Sequence, residues 1–153
     1  MEESTSVDGC DVESLKYEDC EIIMRRYNLF ISHSWNHSDA YENLIMLLDK
    51  SGLQYSDYSV PKTDPIHTHG TDWELRDAIK RKLVPCSCVL VLAGVYSTYS
   101  KWITKEVEIA KSMGKRIIAI EPFQSERTSL YVKTHADVIV KWRSESIREA
   151  IEQ

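Results

Sequence analysis

Cys86-Ser87-Cys88-Val89-Leu90-Val91-Leu92-Ala93 is a nearly continuous apolar run in the middle of a 153-residue chain. Such a run, short and rich in valine and leucine, is the pattern of a parallel strand covered on both faces. Its neighbours in sequence agree. Upstream, Thr71 and Glu74 have capping-box spacing and open a helix with Leu75, Ala78, Ile79 and Leu83 on one face. Downstream, a helix from Ser100 to Met113 is ended by Gly114, and Arg116 to Ile120 reads as another buried strand.

The same unit occurs earlier in the chain. Tyr27-Asn28-Leu29-Phe30-Ile31-Ser32 is a strand-forming run, followed by the polar loop Ser32 to Ser38. Asp39 and Glu42 repeat the capping-box spacing, Tyr41, Leu44, Ile45 and Leu48 form a helical stripe, and Gly52 supplies the stop. Gln54 to Tyr58 is a weak second strand, and the loop from Ser59 to Gly70 carries Pro61 and Pro65. Asp137 to Val140 is a short edge strand, and Ser144 is placed to cap a last helix through Ile151. Strands alternating with helices require a parallel sheet with right-handed crossovers. Five of them predict a flavodoxin-like, doubly wound α/β domain of order 2-1-3-4-5 over residues 27–153, with its ligand site between strands one and three. Residues 1–26 are expected to be an acidic, flexible leader.

Charge and composition narrow the function classes. The apolar fraction of 42% and charged fraction of 28% are those of a globular domain. The net charge of -5 belongs to the leader: residues 1–24 hold eight acids against Lys16, while the other 16 acids and 18 bases leave +2. No basic stripe favours nucleic acid. No apolar run nears the roughly 18 residues of a membrane helix, and the acidic start is unlike a signal peptide, so a cytoplasmic location is expected. The four cysteines are then expected to be free thiols. Cys86 and Cys88, two apart on a strand, would face the same way, but no partner ligands accompany them, and core packing is the better account than a metal. His67 and His69 share that spacing in a loop, where solvated or ligand-gating roles fit better than a metal site.

The helix from Ser100 to Met113 carries the most chemistry. At about 100° per residue from Ile103, the stripe Ile103, Val107, Ala110 and Met113 spans about 280° to 40°, with Lys105, Glu108 and Lys111 opposite. Glu106 falls near 300° and Trp102 near 260°, on the flank of that stripe, by the same construction of about 100° per residue. Four residues apart, the indole and the carboxylate project side by side. An aromatic plane beside an acid suits a ligand with a flat ring and ribose hydroxyls. The competing account packs Trp102 into the domain and pairs Glu106 with a nearby base. Ser32, His33 and Ser34 follow the first strand and can hydrogen-bond phosphate or ribose oxygens. Tyr58 and Asp64 can reach a cleft from the long loop, although turn-forming roles explain Asp57, Tyr58 and Asp64 equally. A G-x-G-x-x-G fingerprint and a Walker loop are both absent. The acids a response regulator needs after the first and third strands are replaced by Ser-His-Ser and Ala93-Gly94.

In their order, these segments resemble the TIR-domain family. Tyr27 to Ser34 with Asp39 is similar to its first box, the loop Ser59 to Gly70 is placed like its BB loop, and Ser100-Lys101-Trp102 with Glu106 resembles the Ser-x-Trp-x-x-x-Glu signature of members that consume NAD. Asp57-Tyr58-Ser59-Val60-Pro61 and Val91-Leu92-Ala93-Gly94-Val95-Tyr96 look most like the TIR-like branch of bacterial Thoeris antiphage systems. The resemblance implies that Glu106 is catalytic and that Trp102 lines the nucleotide site. Ser32, His33, Ser34, Tyr58 and Asp64 would then be substrate-binding. It also implies NAD as substrate with no cofactor or metal, and cleavage of the nicotinamide glycosidic bond to ADP-ribose or a cyclic isomer that activates a nucleotide-sensing effector. Assembly into a homo-oligomer on activation would accompany it. His33 stands where tyrosine is usual, and Ile103 where cysteine often follows the tryptophan. The rival expectation is a non-catalytic TIR-like scaffold for protein interactions.

Overall fold

A computed structural model describes residues 25–33, 38–60, 70–94, 101–121 and 129–153. Five strands form one sheet: β1 (Tyr27–Ser32), β2 (Tyr55–Asp57), β3 (Cys88–Leu92), β4 (Arg116–Glu121) and β5 (Val138–Lys141), in the order β2-β1-β3-β4-β5. Every pairing is parallel. The helices between and after them are α1 (Ser38–Lys50), α2 (Asp72–Leu83), α3 (Lys101–Ser112), α4 (Leu130–His135) and α5 (Ser144–Glu152). This is the doubly wound order expected from the alternation of elements, and the chain reverses its winding direction between β1 and β3.

The alternation of side chains along the strands separates two cores. Phe30, Val89, Val91, Ile117 and Ala119 face α2, α3 and α4, packing with Ile79, Leu83, Ile103, Val107 and Val132. Leu29, Ile31, Leu90, Ile118 and Ile120 face α1 and α5, packing with Leu44, Leu48, Ile147 and Ile151. Neither layer leaves the central strands a wet face, which is why their sequences are continuously apolar rather than alternating. Gly52 and Gly114, both at positive φ, close α1 and α3 where a side chain would be strained.

Several local expectations are refined. Thr71 caps α2 with both halves of the box present: its hydroxyl accepts from Glu74 N at 3.3 Å, and the Glu74 carboxylate accepts from Thr71 N at 2.6 Å. Ser144 does not cap α5. It is the first helical residue, and Arg143 occupies the cap in extended backbone with no side-chain bond. The reason is the tight turn in which Arg143 N donates to Lys141 O at 2.8 Å, delivering the chain into the helix one residue early. Asp39 likewise lies inside the first turn of α1, where its charge opposes the positive helix end. Helix α4 has no counterpart in the sequence pattern. At six residues with Val132 its one buried residue, it is too short to show a period.

Cys86 and Cys88 do not face the same way. Cys86 N still bonds Leu83 O at 3.0 Å in the turn leaving α2, so the strand begins only at Cys88, and the two thiols enter opposite cores. Burial pushes them up to about 11 and about 12, leaving both as inert packing groups. No cluster of metal-ligating side chains occurs among the described residues, and no helix among them is long and apolar enough to cross a membrane. Residues 1–24 of the leader, together with His67 and His69, lie outside the described residues.

Replacing Thr71 with alanine removes the hydroxyl half of the box. The expected cost is about 1 kcal/mol of folding stability, read as a lower urea midpoint with an unchanged slope.

Candidate functional site

Ser32 ends β1, and its parity with Phe30 turns its side chain toward α3. There it meets Glu106, which lies within the first half of that helix. The Ser32 hydroxyl donates to Glu106 Oε2, and the indole of Trp102, one turn earlier, is the second side-chain hydrogen-bond partner of the carboxyl group. Glu106 is 2% exposed, while Trp102 is half-buried. Sequence periodicity put Glu106 on the flank of the buried stripe; the structure puts it inside. Ile109 is also buried, so the buried arc extends past Glu106 on that side. Among the described residues its partners are a hydroxyl and an indole, not the base of the competing account.

The electrostatics follow from that placement. Burial removes water from the carboxylate and pushes the Glu106 pKa up to about 8, with the Ser32 and Trp102 hydrogen bonds pulling the other way. The group is therefore mainly protonated at neutral pH. An acid so placed is available to ionise when a cationic or hydroxyl-bearing ligand arrives.

His33, the next residue, emerges on the opposite face. It is 4% exposed, its Nδ1 lies 3.1 Å from Ile31 O, and its ring stacks on Tyr41 of α1 with centroids 4.4 Å apart. Burial depresses its pKa, with the Ile31 carbonyl and the Asp57 charge acting in the other direction, so the ring is held neutral. The Tyr41 hydroxyl donates to Asp57 Oδ2 at the end of β2. Ser59 presents both its N–H, at 2.7 Å, and its hydroxyl to Asp57 Oδ1.

Of the residues singled out from sequence, Ser32, Trp102 and Glu106 thus meet at one point. His33 flanks that point from the other side of the sheet. Tyr58 instead packs against the core cluster that includes Ile103 and Val107, with its N–H bonded to Leu29 O at 2.8 Å. Ser34 and Asp64 lie outside the described residues. Tyr41, Asp57 and Ser59 were not expected to form a unit. Nothing in their spacing announces it, because their contact depends on β2 pairing alongside β1.

A cavity of about 420 Å³ opens at the far edge of the sheet, lined by residues that include Arg25, Tyr27, Gln54 and Arg148. Its arginines are engaged, Arg25 over the Tyr27 ring and Arg148 with Glu152 and Ser51 O. It does not coincide with the buried acid, whose position beside the β1–β3 switch point is where doubly wound folds bind ligands.

Fold and site together define a doubly wound α/β protein with a buried acid at its switch point. The profile described as "Thoeris protein ThsB, TIR-like domain" matches residues 30–127, and the chain belongs to that family. A search of curated proteins finds no match. Among solved structures, a conserved protein from Enterococcus faecalis V583 is similar with a TM-score of 0.60 at 10% identity, over 84% of this chain and 99% of that one. A Clostridium botulinum CMP N-glycosidase, BcmB, aligns over 82% of this chain and 97% of its own at 15% identity and a TM-score of 0.47. The first of these likenesses supports the flavodoxin-like fold.

The raised Glu106 pKa sets a pH signature. In the unfolded chain the group ionises near its ordinary value of 4.5, so between that pH and about 8 the folded protein holds the extra proton. Stability contributed by the neutral acid is full below the lower value and is lost as pH rises through the upper one. Between pH 5 and pH 8.5 the wild type is expected to lose about 3–4 kcal/mol relative to Glu106→Gln. Paired urea titrations across that range measure the difference.

Proposed function

We propose that this protein is an NAD-processing enzyme whose product is a cyclic ADP-ribose-type signal, or a related ADP-ribose species, read by a nucleotide-sensing effector. Membership of the ThsB TIR-like family supports the reading, and one observation carries it: the Glu106 carboxyl group, buried at the switch point and hydrogen-bonded to Ser32 and Trp102.

The chemistry suits one acid. The nicotinamide of NAD is already cationic, so the bond from its nitrogen to the ribose anomeric carbon breaks with the electron pair passing to the ring, and neutral nicotinamide leaves without a general acid. Most glycosidases need a second carboxyl group to protonate their leaving group. The ribosyl fragment becomes oxocarbenium-like, and an ionised Glu106 beside it stabilises the positive charge and accepts hydrogen bonds from the ribose hydroxyls. Trp102, partly exposed and beside the acid, offers a face for the nicotinamide or the sugar. Capture of the cation by water gives ADP-ribose. Capture by a nitrogen or hydroxyl of the same molecule, with loss of its proton, closes a ring and requires that water be kept out.

A second reading, an interaction scaffold of the same fold, is favoured by Trp73 at 72% exposure and Leu130 at 77%. Both lie in the first turns of helices that open on the sheet edge carrying the site. Chromatography of NAD incubated with the protein, its activating signal supplied, separates the two: persistent absence of nicotinamide favours the scaffold.

Glu106→Gln is expected to keep the fold, by circular dichroism, and to lower nicotinamide release by about a hundredfold or more. Undiminished turnover in that variant would overturn the assignment. Because the ionised acid is the working form, kcat/KM should rise with pH and level off above about 8. The apparent pKa in kcat should lie lower, since the bound cation favours the carboxylate.

A further inference from the structure

The β1–β2 ladder stops short of the site. Its register runs Tyr27↔Tyr55, Asn28↔Ser56 and Leu29↔Asp57, and the last rung is Tyr58 N to Leu29 O at 2.8 Å. On the other side, β1 stays paired with β3 as far as Ser32↔Val91. The outer edge of β1 therefore loses its strand neighbour just before the residue that touches Glu106.

Side chains replace the missing strand. Ile31 N donates to Ser59 Oγ at 2.9 Å, and His33 Nδ1 sits 3.1 Å from Ile31 O. The Ser59 hydroxyl is turned to accept by donating its own proton to Asp57, which also takes the hydroxyl of Tyr41. The Tyr41 ring lies against His33 with an interplanar angle of 22°. The circuit closes around the peptide groups on either side of Ile31, the residue before Ser32. A hydroxyl reaching a buried carboxyl must be placed to within a fraction of an ångström, and here one flank of its backbone is placed by this circuit rather than by a ladder.

We infer that Ser59, Asp57 and Tyr41 are positioning residues for the Ser32–Glu106 contact, holding the last residues of β1 where a strand partner would otherwise hold them. The inference rests on the proposed role of Glu106 for its functional meaning, although its geometry does not. If the circuit is cut, Ser32 is no longer aimed at Glu106, and the carboxyl loses a donor that favours its ionised form. Ser59→Thr keeps a hydroxyl at the same position and should preserve the contact.

The test follows Glu106 itself. In protein carrying 13C at the glutamate carboxyl carbon, the Glu106 signal is assigned by its absence in Glu106→Gln and titrated by NMR. Ser59→Ala, and separately Tyr41→Phe, which keeps the ring and loses only its hydroxyl, are expected to raise the midpoint by about half a pH unit or more, while Ser59→Thr keeps the wild-type value. Wild-type midpoints in both Ser59→Ala and Tyr41→Phe, with urea stability alone reduced, would show these residues to be merely structural and overturn the inference. Nicotinamide release is not part of this readout. A wild type without turnover would therefore defeat the functional reading while the positioning result is judged separately.

Discussion

The hydrogen bond between Ser32 and Glu106 joins the end of the first strand to the third helix, and the organisation of the site depends on it. A carboxyl group with almost no exposure must be either neutral or well supplied with donors. Here the two donors come from different places: Trp102 from one turn earlier on the same helix, and Ser32 from a strand seventy-four residues away in sequence. The first is given by helix geometry alone. The second exists only when the sheet has assembled in the order β2-β1-β3 and α3 has packed over β1.

That dependence explains what was legible in the sequence. The apolar run through Val91, the stripe of α2 and the strand at Arg116 identify their elements because each is buried by a large, regular surface. Thr71 with Glu74 was readable for a different reason: a capping box is closed within four residues. The pairing of Trp102 with Glu106 was likewise local. By contrast, the depth of Glu106 is not legible on a helical wheel, which ranks residues by chemical type, and it is Ile109 that extends the buried arc past it. The circuit of Tyr41, Asp57 and Ser59 was invisible. Tyr41 read as part of an apolar stripe and Asp57 as a turn former, and only the β1–β2 register brings them together.

The two sides of the first strand divide the labour. Toward β3 its edge is held by backbone pairing through Ser32, which fixes height and direction. Toward β2, beyond the last rung of the ladder at Leu29, it is held by hydroxyls, a carboxylate and a stacked imidazole. A doubly wound sheet offers this asymmetry at its switch point, where the flanking loops diverge and leave room for a ligand. Ser32 thus stands on backbone pairing from one direction and, through Ile31, on side-chain hydrogen bonds from the other.

The brevity of β2 has a consequence for association. A sheet can be lengthened by another chain only where an edge presents several successive free peptide groups, and three residues offer fewer than an ordinary strand. The Arg26 guanidinium further occupies the Tyr55 carbonyl at 3.3 Å. At the other margin, β5 has four residues and ends at Lys141, a charge tethered to Glu121. Among the described residues both margins are therefore poor templates for strand addition, and continuing the sheet with a neighbour is disfavoured.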